Sequence, residues 1–199
     1  MDDFVNYPDM SRLDGRVAIV TGAGSRSEGI GNGKAAAVLL ARRGARLMLL
    51  DADEAAANVT RELIKSAGGH ALVRATDVAD PDACQAAVEV AVQAWGRVDI
   101  LVNNVGITGP AGDAVELDLD EWDSAMRVNV TSMMLMARFC IPHMRKLGRG
   151  AIVNISSVAG LQGGTPSLLY PTSKGAVVNL TRAMASQHGS EGIRVNCVA

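Results

Sequence analysis

Tyr170 and Lys174 stand four residues apart in Tyr170-Pro171-Thr172-Ser173-Lys174. On a helix that spacing puts both side chains on one face, one turn apart. A phenol beside an ammonium is equipped for acid–base chemistry. A free phenol titrates near pH 10 and is a poor base at neutrality. Bringing it to about 7 takes about 4 kcal/mol of extra stabilisation of the phenolate. A nearby cation such as Lys174 is one source of that stabilisation. A Tyr and a Lys at helical spacing also occur by chance, so the rest of the chain has to say what the pair is for.

A second constellation lies near the start of the chain. Arg16–Thr21 reads as a strand, and Thr21-Gly22-Ala23-Gly24-Ser25-Arg26-Ser27-Glu28-Gly29-Ile30-Gly31 follows it, with a helix beginning there. Glycines permit a tight turn and a close approach of backbone to a pyrophosphate. The helix N-terminus then offers free N–H groups and a favourable dipole to the phosphate charge. The strand–turn–helix context points to a bound dinucleotide. The second strand ends in Asp51. A carboxylate there hydrogen-bonds the adenosine ribose hydroxyls and repels a 2′-phosphate, which favours NAD over NADP. The alternative is that Asp51 caps the following helix. Arg26 is a contrary signal, since an Arg could accept a 2′-phosphate, and Glu28 beside it weakens that signal.

The elements needed to position these residues are legible as an alternation. Apolar runs at Val17–Val20, Arg46–Leu50, Ala71–Ala75, Ile100–Val102, Ala151–Ile155 and Ile193–Val198 alternate with helical stretches near Ile30–Arg43, Glu54–Ala67, Pro81–Trp95, Glu121–Leu147 and Pro171–His188. Gly44, Gly68, Gly96, Gly148 and Gly189 each follow a helical segment and suit a left-handed C-cap. Asp80-Pro81 reads as an N-cap followed by Pro at the first helical position. The strands are too uniformly apolar for a one-sided sheet, so both faces should be covered. The expected fold is α/β, a Rossmann-like doubly wound parallel sheet in three layers with right-handed crossovers.

Composition agrees with one domain spanning 1–199. The chain is 48% hydrophobic and 20% charged, which excludes a disordered chain, and its net charge of −2 gives no footprint for nucleic acid. No apolar run approaches the roughly 18 residues of a membrane span. The polar, acidic stretch Met1–Leu13 is no secretory signal. Cys84, Cys140 and Cys197 are odd in number and far apart, which favours reduced thiols and a cytoplasmic location.

Taken together, these motifs resemble the short-chain dehydrogenase/reductase family in its Tyr-x-x-x-Lys form, from about Leu13 to the last residue. The family's Thr-Gly-x-x-x-Gly-x-Gly turn looks like Thr21-Gly22 with Gly29 and Gly31, with a longer stretch here between Gly22 and Gly29. Asp77-Val78 matches the family's contact to the adenine ring. Asn103-Asn104-Val105-Gly106 looks like its Asn-Asn-Ala-Gly, which steadies the sheet and lines the cofactor cleft. The resemblance implies a catalytic set of Asn129, Ser157, Tyr170 and Lys174. Ser157 stands 13 residues before Tyr170, as the family's catalytic Ser does, and Ser156 is one position too far, a structural hydroxyl. Ser157 would hydrogen-bond the substrate oxygen, and Asn129 would position a water linking Lys174 to solvent. Lys174 would also hold the nicotinamide ribose, and the positive nicotinamide would help Lys174 to lower the Tyr170 phenol. Cofactor contacts are expected at Gly22, Gly24, Ser25, Gly29, Ile30, Gly31, Asp51, Asp77, Val78, Asn104, Gly106, Tyr170 and Lys174.

The implied activity is hydride transfer between NAD, with NADP less favoured, and a small-molecule secondary alcohol or ketone. The sheet order would be 3-2-1-4-5-6. By the same resemblance, a substrate-covering lid and a last strand would follow Val198-Ala199. The alternative function is therefore a non-catalytic dinucleotide-binding or oligomerising fragment. The resemblance also implies a homo-oligomer, a dimer or tetramer, paired through the helices 121–147 and 171–188. Cys140 and His143 have a metal-like spacing but no second pair, and read as helix packing, so no metal is expected. Met126, Met133, Met134, Met136 and Met144 read as core or subunit packing. His70, His188 and Arg42-Arg43 read as surface groups.

Overall fold

Val17–Thr21 is a run of apolar and β-branched residues, and all five are buried. Only a strand covered on both faces tolerates that. It is β1 of a six-stranded sheet with β2 (Arg46–Asp51), β3 (His70–Ala75), β4 (Ile100–Asn103), β5 (Gly150–Ile155) and β6 (Ile193–Val198). The computed structural model describes residues 12–25 and 29–199; Arg26 and Glu28 and most of the Met1–Leu13 stretch lie outside the described residues. Every pairing is parallel, and the strand order is 3-2-1-4-5-6, as the resemblance implies. Among the described residues the α-helices are α1 (Asn32–Arg42), α2 (Glu54–Ser66), α3 (Pro81–Trp95), α4 (Leu119–Met126), α5 (Ser132–Lys146) and α6 (Leu169–His188). Among the described residues no helix is long and apolar enough to cross a membrane.

Alternate strand residues feed two cores, as the period-2 geometry of a strand requires. Ala18, Val20, Leu47 and Leu49 join Ala37 of α1 and Ile64 of α2 in one core. Ile19, Met48 and Leu50 join Cys84 of α3, Met136 and Cys140 of α5 and Met184 of α6 in the other. Cys140 is thus core packing, and burial pushes both its thiol and that of Cys84 up, the latter to about 11. Met133, Met136 and Met144 are also buried, and Met134 points outward at 40% exposure.

Four local expectations need correction. The stretch Glu121–Leu147 is not one regular helix: a π-helical turn, Arg127–Thr131, separates α4 from α5. Its extra residue per turn is held by Asn129, whose side chain is drawn onto the backbone of Ile107. The first helix begins at Asn32, because Gly31 is extended, with φ −70° and ψ 162°. Gly189 has φ −59° and leads into a short 3-10 turn, so Gly192, at φ 74°, takes the left-handed position. Finally, the sheet is not covered on both faces at β6. Ile193 and Val195 are buried beneath α6, whereas Arg194, Asn196 and Val198 are exposed. The helices α1 and α2 cross over β1 to β3 and do not reach that side.

Asp80 caps α3 as expected, accepting from the Asp82 N–H at 2.9 Å with Pro81 at the first helical position. At the N-terminal edge of the sheet Asp99 is buried and accepts from Arg16, Arg97 and the Val17 N–H. Burial pushes its carboxyl up, but the Arg97, Val17 and Arg16 hydrogen bonds outweigh burial and hold it below the ordinary value.

Candidate active site

The strand order reverses between β1 and β4, and in open parallel sheets the crevice at that point, beyond the C-terminal strand ends, is where ligands bind. A cleft of about 600 Å³ opens there. Two features build its floor. Thr21, the last residue of β1, accepts at Oγ1 from the Asn104 N–H at 3.0 Å, and Asn104 Nδ2 donates to the Gly22 carbonyl at 3.0 Å. This ties the first turn to the end of β4. Gly22 has φ 63°, a left-handed conformation that favours glycine. Gly33, inside α1, packs so close that a Cβ there would overlap the Gly22 carbonyl oxygen. Gly33 was not among the expected contacts; a glycine inside a helical pattern was its signal.

Of the expected cofactor contacts, Gly22, Gly24, Ser25, Gly31, Asp51, Asp77, Val78, Asn104 and Gly106 line this cleft. Gly29, Ile30, Tyr170 and Lys174 do not: Ile30 is 74% exposed and faces a groove between α1 and α2, and Lys174 lies behind Gly106. Asp51 accepts from the Gly24 N–H at 2.8 Å and from the Asp53 N–H at 3.1 Å. It is not the cap of α2; Asp53 is, accepting from the Ala56 N–H. Asp51 is instead fixed by the turn it faces, with its carboxylate on the cleft wall. Asp77 is fixed similarly, accepting from the Ala79 N–H at 2.9 Å.

Three of the residues expected to do chemistry, Lys174, Asn129 and Tyr170, meet beside Gly106. Lys174, in α6, is 3% exposed, and its Nζ donates to the Ile155 carbonyl at 3.1 Å. Burial pushes its ammonium below the ordinary value, and charge at Cys197 opposes this. The same ammonium stands 5.8 Å from the centre of the Tyr170 ring. Lys174 Nζ would lie 2.9 Å, and Asn129 Oδ1 3.6 Å, from a Cβ built on Gly106, so the two polar groups converge on the bare face of that glycine. Asn129 is fully buried and its amide is largely committed: Oδ1 accepts from the Ile107 N–H, and Nδ2 donates to the Ile107 carbonyl and to Ser173 Oγ. Ser173 in turn donates to the Tyr170 carbonyl at 2.8 Å. The π-helical turn is therefore stapled both to the segment after β4 and to the helix that carries Tyr170 and Lys174.

The two serines after β5 make different bonds. Ser156 is buried and donates to the Lys174 carbonyl at 2.7 Å, a structural bond that seats α6 against the sheet. Ser157 is extended, caps the 3-10 turn Val158–Leu161 and accepts from the Ala159 N–H at 3.2 Å. A buried polar chain missed by sequence reasoning lies underneath. Asn103 donates to Asn154 Oδ1 at 2.9 Å, and Asn154 donates to Thr181 of α6 at 3.0 Å. In register across β4 and β5, these amides fix the strand ends from which the site projects. The arrangement leaves an open cleft whose Gly106 end has the Lys174 ammonium behind it and the Tyr170 ring beside that ammonium. Elsewhere, His188 faces Glu191 at 3.0 Å, and His143 lies at the end of α5 with burial pushing its imidazole down.

Comparison with known proteins agrees with this fold. Residues 16–199 match the family model for short chain dehydrogenase. The chain is 45% identical over 186 residues to an uncharacterised oxidoreductase of Thermotoga maritima, covering 94% of this chain and 71% of that protein. It is 42% identical over 184 residues to cis-4-hydroxycyclohexanecarboxylate dehydrogenase of Sinomonas cyclohexanicum, covering 92% of this chain and 72% of that one. Its fold superposes on carveol dehydrogenase from Mycobacterium avium, solved in complex with NAD, with a TM-score of 0.88 at 28% identity, covering 94% and 70% of the two chains. The chain is an oxidoreductase of the short chain dehydrogenase family.

Proposed function

We propose that the chain oxidises a secondary alcohol, or reduces the corresponding ketone, with NAD as the preferred cofactor and Tyr170 as the proton-transferring group. The observation that carries this reading is the convergence of the Lys174 ammonium, the Asn129 amide and the Tyr170 ring at the end of the dinucleotide-sized cleft. The cleft fits the cofactor. Gly22 and Gly33 let the first turn, α1 and Asn104 close on one another beneath it, Gly106 leaves room for the Lys174 ammonium, and its size lies in the range of cofactor sites. Gly24, Ser25 and Gly31 would approach the pyrophosphate, Asp77 and Val78 the adenine, and Asp51 the ribose hydroxyls. The Asp51 carboxylate favours NAD, because a 2′-phosphate beside it would meet a like charge.

A nicotinamide bound there would accept the hydride from the carbinol carbon, so that a secondary alcohol and NAD⁺ become the ketone, NADH and one proton. The residues of the chain control the proton. Tyr170 takes it from the alcohol hydroxyl, and the buried Lys174 ammonium stabilises the phenolate that receives it. Ser157 hydrogen-bonds the substrate oxygen and holds it against Tyr170. Asn129 acts as a positioning residue: its amide locks Ile107, Ser173 and the π-helical turn in place, and Oδ1 keeps one lone pair for a water beside Lys174. Calorimetric titration with NAD and NADP, run beside an assay of NADH formation from a secondary alcohol, tests the proposal. Tighter NAD binding with NADH formation is expected. Binding without turnover would leave only a dinucleotide-binding module.

A further inference from the structure

Thr60 places a hydroxyl on the face that α2 turns to the core. It is fully buried, as are Ala57 and Ile64 on the same face. A buried hydroxyl needs a partner, and inside a helix the usual one is the carbonyl four residues back. Ser132, Thr172 and Thr181 all donate there. The Thr60 hydroxyl leaves its helix instead and donates to the Ala23 carbonyl at 2.7 Å. That carbonyl belongs to the same peptide unit as the Gly24 N–H, which donates to Asp51 Oδ2 at 2.8 Å. A trans peptide points its C=O and N–H in opposite directions. One peptide plane therefore joins Thr60 on one side to Asp51 on the other. Turning it over would break both bonds and set a carbonyl oxygen against the carboxylate. Ala56, one helical turn before Thr60, backs the same plane: a Cβ on Gly24 would lie 2.6 Å from the Ala56 Cβ. The Asp53 N–H holds the other carboxylate oxygen, Oδ1, at 3.1 Å.

We infer that Thr60 is a positioning residue for cofactor choice, an assignment that rests on the reading of Asp51 above. Its hydroxyl fixes the Ala23–Gly24 peptide, and through it the Asp51 carboxylate, in the orientation that takes up the two ribose hydroxyls of NAD. NADP has a phosphate in place of one of those hydroxyls and gains less from the aim of the carboxylate. Thr60 does not itself line the cleft. A hydroxyl that merely fastened α2 to the first turn would serve both cofactors alike.

Dissociation constants of NAD and NADP are measured by titration calorimetry on the parent chain, Thr60→Val and Thr60→Ser. Valine keeps the shape and removes the hydroxyl; serine keeps the hydroxyl. Thr60→Val should weaken NAD about five- to tenfold, the worth of one hydrogen bond, and change NADP by less than about twofold. Its kcat at saturating NAD should stay within about twofold of the parent, because the nicotinamide end is untouched. Thr60→Ser should restore the parent ratio of the two constants. If Thr60→Val does not fold, Thr60→Ala replaces it; its smaller side chain leaves room for a water on the Ala23 carbonyl, and the ratio should fall in the same direction. An unchanged ratio, an equal loss of both cofactors, or no recovery in Thr60→Ser overturns the role. Hydrogen exchange of the Gly24 amide in the cofactor-free chain separates this outcome from the reading of Asp51. A parent chain with no preference for NAD overturns that reading. Gly24 exchanging at least about tenfold faster in Thr60→Val, with the Ala23 amide on the Leu50 carbonyl unchanged, then still sustains the hold of Thr60 on the peptide, and unchanged Gly24 exchange refutes it.

Discussion

Adding one methyl group at Gly106 should disable the site while leaving the fold standing. A Cβ there would lie 2.9 Å from Lys174 Nζ, and ordinary contact begins at 3.4 Å. The ammonium must therefore retreat by about 0.5 Å, the difference between those distances. Its bond to the Ile155 carbonyl is 3.1 Å, and a retreat that lengthens it by the same amount carries it to about 3.6 Å, beyond hydrogen-bonding range. Losing a hydrogen bond to a charged group costs about 1.5–3 kcal/mol. If the phenolate of Tyr170 depends on that ammonium, kcat for Gly106→Ala falls by roughly 10- to 100-fold. NADH formation at saturating alcohol reads kcat, calorimetry reads NAD affinity and thermal unfolding reads stability. Gly189→Ala, at a helical φ with nothing within 4 Å, is the control and should match the parent chain. A kcat within twofold of the parent, or a loss accounted for wholly by weaker NAD binding, would refute a role for the Lys174 position.

Two further outcomes follow from individual carboxylates. Asp51→Ser should reduce the preference for NAD over NADP by about tenfold or more, read as the ratio of the two dissociation constants, since about 1.4 kcal/mol of repulsion is removed; an unchanged ratio would assign Asp51 only to bracing the Gly24 turn. Asp99→Asn should cost about 2–3 kcal/mol of stability at neutral pH, because two arginines and the Val17 N–H lose their charged acceptor. The Asp99 carboxyl is held below its ordinary value of 3.8 in the fold, so its contribution is full above that value and disappears as pH falls through the folded one. The stability gap between parent and variant, measured by urea unfolding, should therefore close in acid below about pH 4; a gap that persists unchanged there would show that the carboxylate charge is not the source.

Much of the framework was legible because it rests on repetition. Apolar runs such as Val17–Val20 and capping signals such as Asp80-Pro81 specify local structure with little help from the rest of the chain, and parallel crossovers leave few topologies. What escaped depends on contacts distant in sequence. The π-helical turn reads as ordinary helix, since only the pull of Ile107 on Asn129 reveals it. Gly29 and Ile30 match the turn motif yet do not line the cleft, while Gly33 takes the close approach that the motif alone did not assign. Asp51 showed its charge but not its partners: that Gly24 and Asp53 both donate to it emerges only when the first two strands stand side by side. The buried Asn103–Asn154–Thr181 chain is of the same kind, polar residues whose pairing exists only across strands.

The account depends most directly on Tyr170 as the proton-transferring group. Tyr170→Phe keeps the ring beside Lys174 and removes only the hydroxyl. The decisive measurement is turnover of this variant with NAD and a secondary alcohol, taken with its NAD affinity by calorimetry. The account predicts NAD binding within a fewfold of the parent and kcat lower by about 10²–10⁴, the usual contribution of a positioned acid–base group. Retained turnover with intact NAD binding would contradict it.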